Sequence, residues 1–140
     1  MELIQLIYLS DLVDRDESQL GAILDSAQRH NSRDDITGML LYAEGNFLQV
    51  LEGAPERVHA TFERIRRDRR HRNIVTLLDE AVPQRHFANW SMGYKQLRPE
   101  HVQKFPRYAP YFQFGFASQK FQAAPGAALE MLEMFSKGAG

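Results

Sequence analysis

The sequence predicts an α+β sandwich, one sheet with two helices on one face. Three observations carry this. Apolar runs and helix-period stripes follow one another as strand, helix, strand, strand, helix, strand. The 140 residues suit one domain with a sizeable core. No stretch is apolar for long enough to span a bilayer, so no membrane segment is expected.

Residues 3–9 form a short apolar run suited to a buried strand. Asp14 and Glu17 have the spacing of a capping box, and Leu20, Ile23, Leu24 and Ala27 then recur at helical period. A first helix is therefore expected to run to about residue 29, with a polar loop over 30–35. Residues 36–42 and 47–52 read as strands joined by the turn Glu44-Gly45-Asn46, a hairpin. Pro55 sits where a second helix would begin, with Val58, Phe62 and Ile65 as its buried stripe. Residues 74–82 read as a fourth strand and 91–97 as a fifth. This is the split β-α-β-β-α-β pattern of a ferredoxin-like sandwich with one strand added. Its open sheet face needs a cover. Ala128, Leu129, Met131, Leu132, Met134 and Phe135 crowd a short final helix that is too apolar to stand free in water. Residues 1–97 are thus expected to form the main unit. Residues 98–140 form a helical extension, packed on the open face or at an interface with another copy.

Composition removes several function classes. The net charge of −1 gives no global attraction to nucleic acid or anionic membrane. Without cysteine there are no disulfides, no thiolate catalysis and no Cys-based zinc site. The five histidines lack metal-ligand spacing, so no metal is expected. No glycine-rich phosphate loop and no nucleophile triad is present, so nothing supports an enzyme. Glu2 and the lack of a long apolar N-terminal run argue against a signal peptide, and a cytoplasmic location is expected.

Polar residues inside apolar strands are the local anomaly. Tyr8 lies near the end of the first run, and Gln49 lies within Phe47-Leu48-Gln49-Val50-Leu51. A buried amide without partners costs about 1–3 kcal/mol, so Gln49 must be hydrogen-bonded. One reading is a structural bond to backbone or to Tyr8; the other is that both groups face a bound heterocycle. Two helices side by side on the sheet would leave a slot between Ile23 and Ile65. A flat ring could lie there, its polar edge toward the strands and toward His30 and Asn31. From the residues alone, a small-molecule-binding module or an oligomerisation domain stays open.

Five motifs resemble a known family, the blue-light-using flavin (BLUF) domain. They are Leu6-Ile7-Tyr8, Ala27-Gln28-Arg29-His30-Asn31, Ile36-Thr37-Gly38-Met39-Leu40-Leu41-Tyr42, Phe47-Leu48-Gln49-Val50-Leu51-Glu52-Gly53 and Phe87-Ala88-Asn89-Trp90-Ser91-Met92-Gly93. The likeness spans about residues 2–97 in the family's order and spacing, and the tail resembles that of short single-domain members. The resemblance implies a non-covalent flavin, usually FAD, with FMN or riboflavin as alternatives. It implies that Tyr8 is the light-driven electron and proton donor and Gln49 the amide that switches hydrogen bonds. Asn31 would hold the ring edge with His30 nearby, and Ile23 and Ile65 would sandwich the ring. Trp90 and Met92 would be the relay pair beside Gln49. Arg70 and His71, within a run where six of the seven residues 66–72 are basic or His, would lie near the flavin phosphates. Output would pass to a separate downstream protein or through a homo-oligomer.

Overall fold

Strand β1, Ile4–Leu12, is the spine of the protein, a computed structural model that describes residues 2–112 and 116–137. Its side chains alternate between two apolar layers, which explains a run with almost no polar interruption. Leu6 and Tyr8 face the layer shared with α1 and α2, while Ile7 and Leu9 face the opposite one. The strand runs three residues past the end expected from the sequence, because Ser10 and Leu12 also lie buried in the ladder.

The expected capping box is not used. Asp14 sits in the left-handed region at φ 56°, inside a 3-10 turn. Asp16 is the residue whose carboxylate accepts from the Ser18 N–H and caps a second 3-10 turn. Helix α1 then spans Leu20–Arg33, well past the expected end. His30 and Asn31 are therefore helical rather than in a loop. The Ser26 carbonyl accepts from His30 Nδ1 and the Asn31 carbonyl from the Ile36 N–H; His30 and Arg33 suit the negative helix end.

Strands β2, Thr37–Ala43, and β3, Asn46–Gly53, form the predicted hairpin. Its two turn residues, Glu44 and Gly45, take φ 44° and 94°, as a type I′ turn requires. Gly38 marks the other close approach: a β-carbon there would fall onto the Val50 carbonyl oxygen. Helix α2, Pro55–Arg67, starts with Pro55 in its first turn and buries Val58, Thr61 and Phe62. Strand β4, His71–Ala81, begins three residues before the predicted start and pairs His71 with Leu12. Strand β5, Gly93–Gln96, is shorter than expected and runs parallel to β2.

The sheet order is β4-β1-β3-β2-β5, antiparallel except at the added strand. This is the ferredoxin-like arrangement, with β3 inserted between the two strands that α1 connects. After the short helices α3, Pro99–Gln103, and α4, Ser118–Ala123, helix α5, Pro125–Ser136, closes the second face. It packs on β2, β3 and β5 and buries Ala128, Met131, Leu132 and Phe135 with Met39, Leu41, Leu48 and Val50. The larger of these side chains each contribute about 1.5–3 kcal/mol through burial. Among the described residues no helix is long and apolar enough to cross a membrane, and no group of His, Asp and Glu is placed to hold a metal.

Candidate functional site

Helical spacing builds two walls of one cleft. Ile23, Ala27, His30 and Asn31 recur at three- and four-residue steps and so share one face of α1. Thr61, Arg64 and Ile65 do the same on α2. Leu40, Gln49 and Leu51 form the floor, and Arg67, Asp68, Arg70 and His71 form the mouth. The cavity measures about 380 Å³, within the range of small-molecule sites.

Strand register places the polar floor. Tyr8 on β1 and Leu40 on β2 stand directly opposite Gln49 on β3. The Tyr8 hydroxyl donates to Gln49 Oε1, and Gln49 Nε2 donates to Met92 Sδ at 3.4 Å. Both polar side chains are buried, and the Tyr8 ring packs on Phe62 at 5.3 Å. Burial first, and the negative charge of Asp68 second, push the Tyr8 phenol above its ordinary pKa, so it is neutral throughout the physiological range. The reverse orientation of Gln49 would turn its NH2 toward the phenol and leave the Tyr8 proton without an acceptor. The protein's own groups therefore favour the orientation seen.

Two α1 side chains fix the segment before β5. Asn31 Nδ2 donates to the Ser91 carbonyl at 2.8 Å and Gln28 Nε2 to the Met92 carbonyl at 3.2 Å. Among the described residues Asn31 bonds through Nδ2 alone, which leaves its Oδ1 free to accept from a ligand. Because a carbonyl can only accept, the 2.8 Å contact of His30 Nδ1 with the Ser26 carbonyl places a proton on Nδ1. A neutral His30 then carries an acceptor at Nε2.

At the mouth, Arg70 grips Asp68 with contacts of 2.7–3.1 Å. Burial alone would raise the Asp68 carboxyl, but Arg70 and its backbone N–H, with His71, outweigh it and hold the carboxyl low. His71 lies against the Phe47 ring at 4.9 Å and contacts the Ser10 hydroxyl at 3.0 Å. Burial lowers its pKa to about 4, aided by Arg70 and opposed by Asp68, so the ring is neutral at neutral pH.

Of the residues named from sequence, Ile23, His30, Asn31, Gln49, Ile65, Arg70 and His71 all line this cleft. Tyr8 lies beside Gln49, where the hydroxyl reaches the amide. The relay pair is divided: Met92 touches Gln49, whereas Trp90 is half-buried against the cluster on the α5 side of the sheet. Trp90 is thus not beside Gln49 here. Residues two apart in a regular strand would share a face, but Trp90 to Met92 lie in a bend before β5, which turns Trp90 and Met92 into opposite clusters. The sequence reading missed Thr61, Arg64, Arg67, Asp68 and Gln28. The helical period of Thr61, Arg64 and Ile65 was the signal available for the first two.

Residues 3–93 match the family model of sensors of blue-light using FAD, the BLUF family. The chain belongs to the BLUF family. This BLUF protein is similar to the blue light- and temperature-regulated antirepressor BluF of Escherichia coli (strain K12). The two are 37% identical over 94 residues, 66% of this chain and 23% of that protein. It is 38% identical over 74 residues to photoactivated adenylate cyclase subunit beta of Euglena longa, 52% of this chain and 9% of that protein. It therefore spans less than a quarter of these two curated relatives. Among solved structures, the dark state of BlrB, a BLUF protein, superposes with a TM-score of 0.78 at 26% identity, covering 97% of this chain and 96% of that one. The photo-activated state of BlsA gives 0.70 at 34% identity, covering 76% and 79%. Residues 3–93 thus form a flavin-binding, blue-light-sensing domain. The cleft suits that group: apolar walls at Ile23 and Ile65, and a floor where Gln49 and Asn31 offer donors and acceptors to the ring edge.

Proposed function

We propose that Tyr8, Gln49 and Met92 are the light-responsive relay of this sensor, with the flavin ring between Ile23 and Ile65 and its polar edge on Gln49 and Asn31. The observation that carries the reading is the Tyr8–Gln49 hydrogen bond at the floor of a cleft of ring-accepting size. When bound, the flavin supplies blue-light absorption and an excited state that accepts an electron. Tyr8 suits the donor role because its phenol can release an electron to the ring and its proton along the existing bond to Gln49 Oε1. Once an electron and a proton are back on Tyr8, Gln49 would be left either rotated or as its imidic tautomer, with the phenol's proton on Oε1 and one Nε2 proton given up in exchange. Rotation would set Oε1 against Met92 Sδ, two acceptors in contact, and displace Met92. The bias available is that of one or two net hydrogen bonds, about 1–3 kcal/mol, enough for one to two decades of population but not for unfolding.

FAD is the proposed form, since Arg64, Arg67, Arg70 and His71 at the mouth offer cations and donors to a diphosphate. Output is proposed to reach a separate effector in the cytoplasm, or to act through association of copies. Purified protein should be yellow, release FAD on denaturation and show a reversible red shift under blue light. Release of FMN alone would overturn the choice of FAD, and an unchanging spectrum under illumination would overturn the relay.

A further inference from the structure

Glu52 is a fully buried carboxylate at the end of β3, on the face opposite the cleft and outside the relay just described. Three N–H groups converge on it. Gln5 Nε2 donates at 2.9 Å, the His86 backbone N–H at 2.9 Å to both oxygens, and the Phe87 backbone N–H at 2.8 Å. Charge-assisted bonds of this length in a dry site are among the strongest a fold can make. Their target is the loop between β4 and β5, which has little regular structure of its own.

The loop's far end is Met92 against Gln49, five residues beyond Phe87. Between them the Trp90 carbonyl accepts from the Gly38 N–H at 3.1 Å. The Ser91 and Met92 carbonyls are held by Asn31 and Gln28 of α1. Asn31 also lines the cleft, so its hold on the loop is coupled to whatever the cleft holds. Glu52 holds the loop independently of the cleft. It also ties the loop to α5, because Phe87 packs in the α5 cluster and His86 Nδ1 meets Glu133 at 2.8 Å.

We propose that Glu52 is a positioning residue for Met92. Pinning the start of the loop against β3 fixes where Met92 Sδ stands relative to Gln49. The proposal rests on the reading of Gln49 as the switching amide.

Methyl-labelled methionine reads this directly. Met92 reports on the relay and Met131 and Met134 on α5, in dark, flavin-bound protein. Glu52→Gln puts an amide NH2 among N–H donors, so the Met92 methyl resonance should shift or broaden and dark recovery after illumination should change. His86→Ala keeps both backbone N–H bonds and removes only the contact with Glu133. It should move the Met134 and Met131 methyls and leave Met92 and the recovery rate as in wild type. If Glu52→Gln does not fold, Gln5→Met removes one donor and should move Met92 the same way, by less. A Met92 resonance unmoved in the Glu52→Gln or Gln5→Met protein, or moved equally by His86→Ala, would overturn the positioning role. A wild type that shows no light response would instead overturn the relay itself, which keeps the two failures apart.

Discussion

At the scale of single residues, the protein resolves the problem of polar groups in apolar strands by pairing them with one another. Tyr8 and Gln49 satisfy each other across two strands, and Ser10 and His71 do the same nearer the mouth. Each pair therefore resists replacement of one member. Tyr8→Phe leaves Gln49 Oε1 without its donor, a loss of about 1–3 kcal/mol that urea unfolding of the flavin-free protein should register. The variant should still bind flavin, because the walls are untouched, but it should lose the red-shifted photoproduct. His71 makes a pH prediction. Its pKa is 6.5 when free and about 4 in the fold. Between those values the unfolded chain takes up a proton that the folded one refuses, so stability falls as pH drops from 6.5 toward 4, by up to about 3 kcal/mol. In His71→Gln that contribution vanishes. The stability gap between the two proteins should therefore be nearly constant above pH 7 and change below it, measured by denaturant unfolding across the range.

At the scale of elements, what the sequence made legible was the part governed by local pattern. The apolar runs of β1 to β3, the turn at Gly45 and the stripe of α2 all appear where their chemistry puts them. The start and end of α1 were not legible. Asp14 has capping chemistry but its backbone is left-handed, and Asp16 takes the role through Ser18. The polar stretch at residues 30–33 reads as loop by composition, yet it is the exposed rim and cleft face of a helix whose last turn is held by Asn31 and His30. Long-range placement was also beyond local pattern. Nothing near Trp90 or Met92 in sequence says which faces Gln49; the pairing of β5 with β2 decides it. The tail tests the layer argument. Leu132 is fully buried between α5 and the sheet, and Leu132→Ala should lower stability by about 2–5 kcal/mol, read as a shift in urea midpoint. A change below half a kcal/mol would mean that α5 does not stay on the sheet in solution.

At the scale of the whole molecule, the sheet separates two tasks. One face, with α1 and α2, holds the cleft; the other, with α5, carries a second apolar core. The loop from β4 to β5 passes between them, with Met92 on one side and Phe87 and Trp90 on the other. A change of one hydrogen-bonded amide can thus be felt on both faces without any large motion, in keeping with the 1–3 kcal/mol available. The five family motifs were readable because each is a short contiguous run. The cationic mouth was less so, because five arginines and a histidine within residues 66–72 leave the register of a helix end undetermined until Asp68 claims Arg70.

The most direct measurement is the blue-light-minus-dark absorption spectrum of Gln49→Leu, compared with wild type at equal flavin occupancy. Loss of the reversible red shift, with flavin still bound and still absorbing blue light, is the predicted result. A red shift of wild-type size in that protein would show that the side chain on β3 is not the switch.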